Sequence, residues 1–150
     1  MNITKPFKLK TLFIDEYETL QFESLELLLQ KSGDYLENFG FISDEIDEID
    51  ENIESTKLLK LIIKYCKKIK FLDLPELNGQ NLNTALSLIE NIKQSLNYLS
   101  INCYYFELSS VILRDLGQVL PSELEYLNLC LTFYASDFKV FFRKFSKYFY

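Results

Sequence analysis

At 150 residues the chain fits one domain, and 48% hydrophobic with 25% charged residues is enough to bury a core and excludes a disordered tail. A net charge of −6 argues against general nucleic-acid binding, which needs clustered Lys and Arg against phosphate. There is no histidine, the usual acid–base residue near neutral pH and the commonest metal ligand, and the four glycines form no phosphate-cradling loop.

The chain order opens on an apolar-alternating segment, Leu9–Asp15 (LKTLFID), followed by a helical pattern over Phe22–Lys31 with Phe22, Leu25, Leu28 and Leu29 on one face. Gly33 stands where a helix C-terminus favours glycine. A second alternating segment, Leu36–Ile42 (LENFGFI), leads into Ser43–Glu54, which holds seven acids and no base. Without that stretch the chain would be nearly neutral. It reads as a solvated acidic insertion at 43–54, with Ile46, Ile49 and Ile53 at helical spacing. A docking site for a basic partner is the alternative. The pattern continues with a helix over Lys57–Lys67, capped by Ser55 or Thr56 and turning Leu58, Leu59, Ile62 and Cys66 inward. Next come strand segment Ile69–Pro75 (IKFLDLP), helix Leu82–Gln94 around Leu82, Leu86 and Ile89, and strand segment Leu96–Asn102 (LNYLSIN). Helix Ser110–Leu120, with Leu113, Leu116 and Leu120 inward, stops at Pro121. Strand segment Leu124–Cys130 (LEYLNLC) and helix Asp137–Tyr148, capped by Ser136 with Phe138, Phe141, Phe145 and Tyr148 inward, complete the chain.

The five strand segments start 27, 33, 27 and 28 residues apart, each with apolar residues at relative positions 1, 4 and 6. One strand plus one helix in about 27 residues matches the leucine-rich-repeat period of roughly 20–29. The expected fold is therefore α/β: a leucine-rich-repeat solenoid, a right-handed β–α superhelix of about five repeats. Parallel strands line its concave face and helices its convex face. Stacking would bury Leu12, Phe39, Leu72, Leu99 and Leu127 in one core, within a single domain over 1–150. The plainer alternative is a generic α/β domain with leucine-rich strands.

The strings LLLQKSGDYLENFGF, LLKLIIKYCKKIKFLDL and SLNYLSIN…SELEYLNL resemble the leucine-rich repeats of F-box proteins, especially the large fungal sets. In that family an F-box docks on a cullin-type ubiquitin ligase, and the repeats hold the protein to be ubiquitinated. The resemblance implies a substrate-recognition region. The first repeat starts at Leu9 and leaves no room for an F-box before it, so ligase recruitment is expected only if an F-box is supplied elsewhere. The repeats have no regular Asn or Cys ladder after the strand. Asn78, Asn102, Cys103 and Cys130 fall near that place at differing offsets.

Positions 3, 5 and 7 of each strand segment should point away from the core. Position 3 reads Thr11, Asn38, Phe71, Tyr98 and Tyr126; position 5 reads Phe13, Gly40, Asp73, Ser100 and Asn128; position 7 reads Asp15, Ile42, Pro75, Asn102 and Cys130. Phe71, Tyr98 and Tyr126 would form a ladder of rings, with Asp73, Ser100, Asn102 and Asn128 beside them for specificity. The rings would anchor a protein partner or merely stack and stiffen the sheet.

The last helix carries Lys139, Arg143, Lys144 and Lys147 among Val140, Phe141, Phe142, Phe145, Tyr148, Phe149 and Tyr150. It reads as the final repeat helix, with a peripheral membrane helix as the alternative. Spare aromatics such as Phe142, Phe149 and Tyr150 are unlike a polar capping repeat, which points to a truncated array or a paired end. The three cysteines, Cys66, Cys103 and Cys130, make no CxxC and read as free thiols of a reducing compartment. With no visible leader and no apolar run near the roughly 20 residues of a membrane span, a cytoplasmic or nuclear location is expected. No catalysis, cofactor or metal is expected. The leading expectation is a non-catalytic protein–protein interaction module, and the rival is an orphan repeat fragment of structural role only.

Overall fold

The structure, a computed structural model, describes residues 7–15, 21–42 and 53–147. Strands and helices alternate strictly among these: β1 (Thr11–Asp15), α1 (Phe22–Ser32), β2 (Asn38–Ile42), α2 (Ile53–Tyr65), β3 (Phe71–Asp73), α3 (Leu82–Ile92), β4 (Tyr98–Cys103), α4 (Phe106–Val119), β5 (Tyr126–Leu131) and α5 (Ala135–Ser146). The expected α/β class holds. All five strands are parallel in one sheet, in chain order β1-β2-β3-β4-β5. A parallel pair cannot be closed by a hairpin, and among the described residues each crossover contains one α-helix, the first followed by a short 3-10 turn over Gly33–Tyr35.

One hydrogen-bonded joint recurs at every step. The carbonyl two residues into each expected strand segment accepts two backbone N–H groups of the next. Lys10 accepts from Glu37 and Asn38, Glu37 from Lys70 and Phe71, Lys70 from Asn97 and Tyr98, and Asn97 from Glu125 and Tyr126, all at 2.7–3.0 Å. The joint absorbs the unequal spacings and holds one register, so that Leu12, Phe39, Leu72, Leu99 and Leu127 stand in a row.

That row is the spine of the core. Phe39, Leu72 and Leu99 are fully buried; Leu12 and Leu127, with a neighbouring strand on one side only, are half-buried. Over them pack Leu58, Leu59, Ile62 and Cys66 of the α2 region, Leu82, Leu88 and Ile89 of α3, and Leu113, Leu116 and Leu120 of the α4 region. Leu86 is only half-buried, as are Phe22, Leu25 and Leu28 on α1, where Leu29 alone of the apolar side chains is fully covered. The helices thus cover one face of the sheet.

Several expected boundaries are corrected. The strand expected to run to Pro75 ends at Asp73, because proline has no N–H to give a ladder, although Leu74 still donates to the Ser100 carbonyl. Helix α2 starts ahead of its expected caps. Ser55 and Thr56 lie inside it and reach sideways instead, Ser55 accepting from Asn81 Nδ2 at 3.1 Å and Thr56 donating to the Gln80 carbonyl at 3.4 Å. Helix α4 starts at Phe106, four residues earlier than its pattern suggests; Ser109, in its first turns, is buried and donates to the Cys103 carbonyl. Helix α5 starts at Ala135, so Ser136 is not its cap, and Phe138 is exposed rather than inward. Asp137 in its first turn accepts from the Ser110 hydroxyl at 2.7 Å, which ties α5 to α4 and puts an anion at a helix N-terminus. Gly33 does cap α1, but with an ordinary helical φ of −57°. Glycine is needed there because a Cβ would overlap the Tyr65 carbonyl at the end of α2. The acidic insertion lies outside the described residues except for Ile53 and Glu54, which open α2; Tyr148, Phe149 and Tyr150 also lie outside them.

Candidate functional site

The face of the sheet away from the helices is built from two rows of side chains. The first row is Thr11, Asn38, Phe71, Tyr98 and Tyr126, paired in register across all five strands. Asn38 Nδ2 donates to Thr11 Oγ1 at 3.0 Å, and the three rings then stack. Phe71 and Tyr98 have centroids 4.0 Å apart and planes 11° apart; Tyr98 and Tyr126 are 4.6 Å and 3° apart. Strand spacing of about 4.8 Å imposes this geometry on in-register aromatics. The expected ladder is therefore present. Its last ring, Tyr126 on edge strand β5, is 54% exposed, while Phe71 and Tyr98 are half-buried.

The second row is Phe13, Gly40, Asp73, Ser100 and Asn128. Asn128 Nδ2 donates to Ser100 Oγ at 3.3 Å, and the Ser100 side chain lies close enough to the Asp73 carboxyl and the Tyr98 phenol to favour their charged forms. Burial pushes the Asp73 carboxyl above its ordinary range, and Ser100 only partly opposes this. Burial also raises the Tyr98 phenol, with Tyr126 and Asp73 adding to the shift and Ser100 opposing it. Ser100 itself corrects an expectation. It is 4% exposed, a buried floor rather than a surface contact, because a small side chain at mid-sheet is overtopped by its larger neighbours. Asn128 is exposed; Asp73 and Asn102 are half-buried, and Asn102 stands in register with Cys130. Pro75, expected on the same surface, lies beyond the end of β3 and is buried.

Two residues that pattern reading left out of the site join it. Phe13 lies edge-on to Phe71 with centroids 6.0 Å apart and planes at 60°, which lengthens the aromatic run to four rings. Gly40 makes this possible. A Cβ there would stand 2.6 Å from Phe13 Cε1 and 3.0 Å from Asp73 Cβ. The available signal was a glycine inside a strand, which marks the close approach of another group. The two face rows carry one acid, Asp73, and no Lys or Arg.

Among the described residues there is no group of three His, Cys, Asp or Glu side chains that could hold a metal ion, and no helix is long and apolar enough to cross a membrane. Cys66, Cys103 and Cys130 are all free thiols, the first two buried. Comparison with protein-family models, with curated proteins and with solved structures finds no match for this chain.

Proposed function

We propose that the chain is a non-catalytic protein-recognition module: a leucine-rich-repeat solenoid that holds a partner protein on its open sheet face. The observation that carries this reading is the run of stacked rings on a helix-free surface, beside a row of hydrogen-bonding groups. Aromatics with a polar tip are frequent energetic anchors in interfaces. In the form suggested by the F-box resemblance, the partner is a protein destined for ubiquitination, and a cullin-type ligase joins only through an F-box supplied elsewhere. The two buried thiols support a non-catalytic role: burial pushes Cys66 up to about 12 and raises Cys103 as well, away from the reactive thiolate.

The test is a Tyr98→Ala, Tyr126→Ala variant compared with the parent chain by affinity capture from native lysate and quantitative mass spectrometry. Losing the stack should cost about 1–2 kcal/mol of stability, leaving the fold intact by circular dichroism. Capture of a specific partner should fall at least about tenfold, as for a hot-spot pair. Equal enrichment by both chains would assign the rings to sheet stiffening. No enrichment over background by the parent chain would favour the orphan-fragment reading.

A second reading, that the chain lies on an anionic membrane through α5, rests on Val140 and Phe142 being exposed beside exposed Lys139 and Arg143. Under it, the chain co-sediments with phosphatidylserine-containing vesicles at low salt, and Phe142→Ser releases it. No sedimentation with those vesicles removes this reading.

A further inference from the structure

Asp73 sits in the middle strand of the sheet, half-buried, and takes part in no ion pair among the described residues. Four ion pairs do form among them, all elsewhere: Lys64–Glu26, Lys70–Glu37, Lys93–Glu90 and Arg114–Asp115. A carboxylate offers about four acceptor sites, and the neighbouring Ser100 hydroxyl can fill at most one of them. The surroundings of Asp73 are aromatic. Phe71 stands two residues before it on the same strand, the Phe71–Tyr98 stack runs alongside, and Phe13 crosses the gap left by Gly40. Rings beside a carboxylate keep water from solvating it, and an open ring face attracts the cation that takes the water's place.

A purely structural residue would not be an aspartate here. Asparagine would accept a hydrogen bond from Ser100 without placing a charge in a half-dry site. Charge held against the folding preference of the chain is characteristic of binding surfaces.

Building on the recognition reading above, we infer that Asp73 receives an arginine side chain from an extended segment of the partner protein. The charge of the face selects a cation, since Asp73 is the one charged residue in its two rows. Phe13, exposed beside Asp73, is the ring of this group that is not sandwiched in the stack, and it favours a planar cation: a guanidinium lies flat on a ring while forking two N–H groups onto a carboxylate, a fixed geometry that an ammonium does not match.

The experiment is an amide-resolved NMR titration of the full chain with acetyl-Gly-Ser-Arg-Ser-Gly-amide and with the same peptide carrying citrulline, the neutral isostere of arginine. The arginine peptide should give saturable shifts centred on Phe13, Asp73 and Ser100, and the citrulline peptide should bind at least about tenfold more weakly. Asp73→Asn should lose the same factor while folding as stably as the parent or more so. Glu123→Gln, an equal change of net charge at an exposed loop, should bind like the parent. Equal binding of the two peptides to the parent chain, unchanged arginine binding by Asp73→Asn, or no saturable shift would each overturn the inference. If partner capture still depends on Tyr98 and Tyr126 in that event, the recognition reading stands without its cation site; if it does not, both fail.

Discussion

Truncating Phe39 to alanine should lower the free energy of unfolding by about 4 kcal/mol. Phe39 is fully buried in β2, held in register between Leu12 and Leu72 and set edge-on to Phe41, with centroids 5.3 Å apart and planes at 85°. Its neighbours cannot close in on the vacated space, because both flanking strands are pinned by ladder hydrogen bonds and by the double-acceptor joints at Lys10 and Glu37. The lost transfer free energy and the cavity then add, as they do for Phe→Ala changes in rigid cores. For a chain of this size the midpoint of thermal unfolding should drop by roughly 10 °C. Leu12→Ala provides the internal comparison. Leu12 belongs to the same row but is half-buried on an edge strand, so its loss should be under about 2 kcal/mol. Urea unfolding of both variants decides the matter. Equal losses at Phe39 and Leu12 would mean that the row is not the graded core described above.

Asn81→Leu should cost about 3 kcal/mol although it makes a buried position more apolar. The Asn81 side chain is completely buried. It accepts from the Asn78 N–H at 2.9 Å and donates to Ser55 Oγ at 3.1 Å and to the Glu76 carbonyl at 3.0 Å. It is the hub of the loop between β3 and α3 and bridges that loop to Ser55 of α2. Leucine matches its shape and abandons three polar partners, at about 1 kcal/mol each for a hydrogen bond lost without replacement. Asn78→Ala gives a graded control. It removes the acceptor for the Gln80 and Asn81 N–H groups, one exposed and one half-buried, so its cost should be smaller. If Asn81→Leu proves neutral or stabilising in chemical denaturation, the loop is held by its leucines and not by this network.

The strands were legible because they obey two rules at once: alternation of period two, and a shared placement of apolar residues at positions 1, 4 and 6. That is why the register of all five, and with it both rows of the open face, could be read without coordinates. The helix starts were less legible. Pattern reading looks for a Ser or Thr cap, but the N-cap residues Gln21, Tyr105 and Tyr134 make no side-chain capping bond, and Asn81 turns its amide to the preceding loop. These starts are set by what each first turn packs against, as with Ser109 on the Cys103 carbonyl. The site was legible in outline and not in depth. Position parity places Asp73, Ser100 and Asn128 on one face, but it has no term for the height of a neighbouring side chain, and so Ser100 was expected at the surface. Phe13 and Gly40 were placed on the face, but their part in the site was missed for a related reason: a ring that leans across an empty position is a property of two strands, not of either one.

Each described strand pairs with the strand next in chain order, and each described helix lies closest to the helix next in chain order. Cooperativity in this arrangement is handed along a line, not shared through a centre. A disturbance at β5 can reach β1 only through three intermediate strands and should fade on the way. The half-buried end rows at Leu12 and Leu127 would open first and exchange their amides fastest, while the β2–β4 segment keeps its protection until the whole chain unfolds. Such a molecule tolerates a change in length more readily than a change in middle sequence. One more strand–helix unit needs only to match the joint of its predecessor, so that evolution could reset the reach of the face without redesigning what already stands.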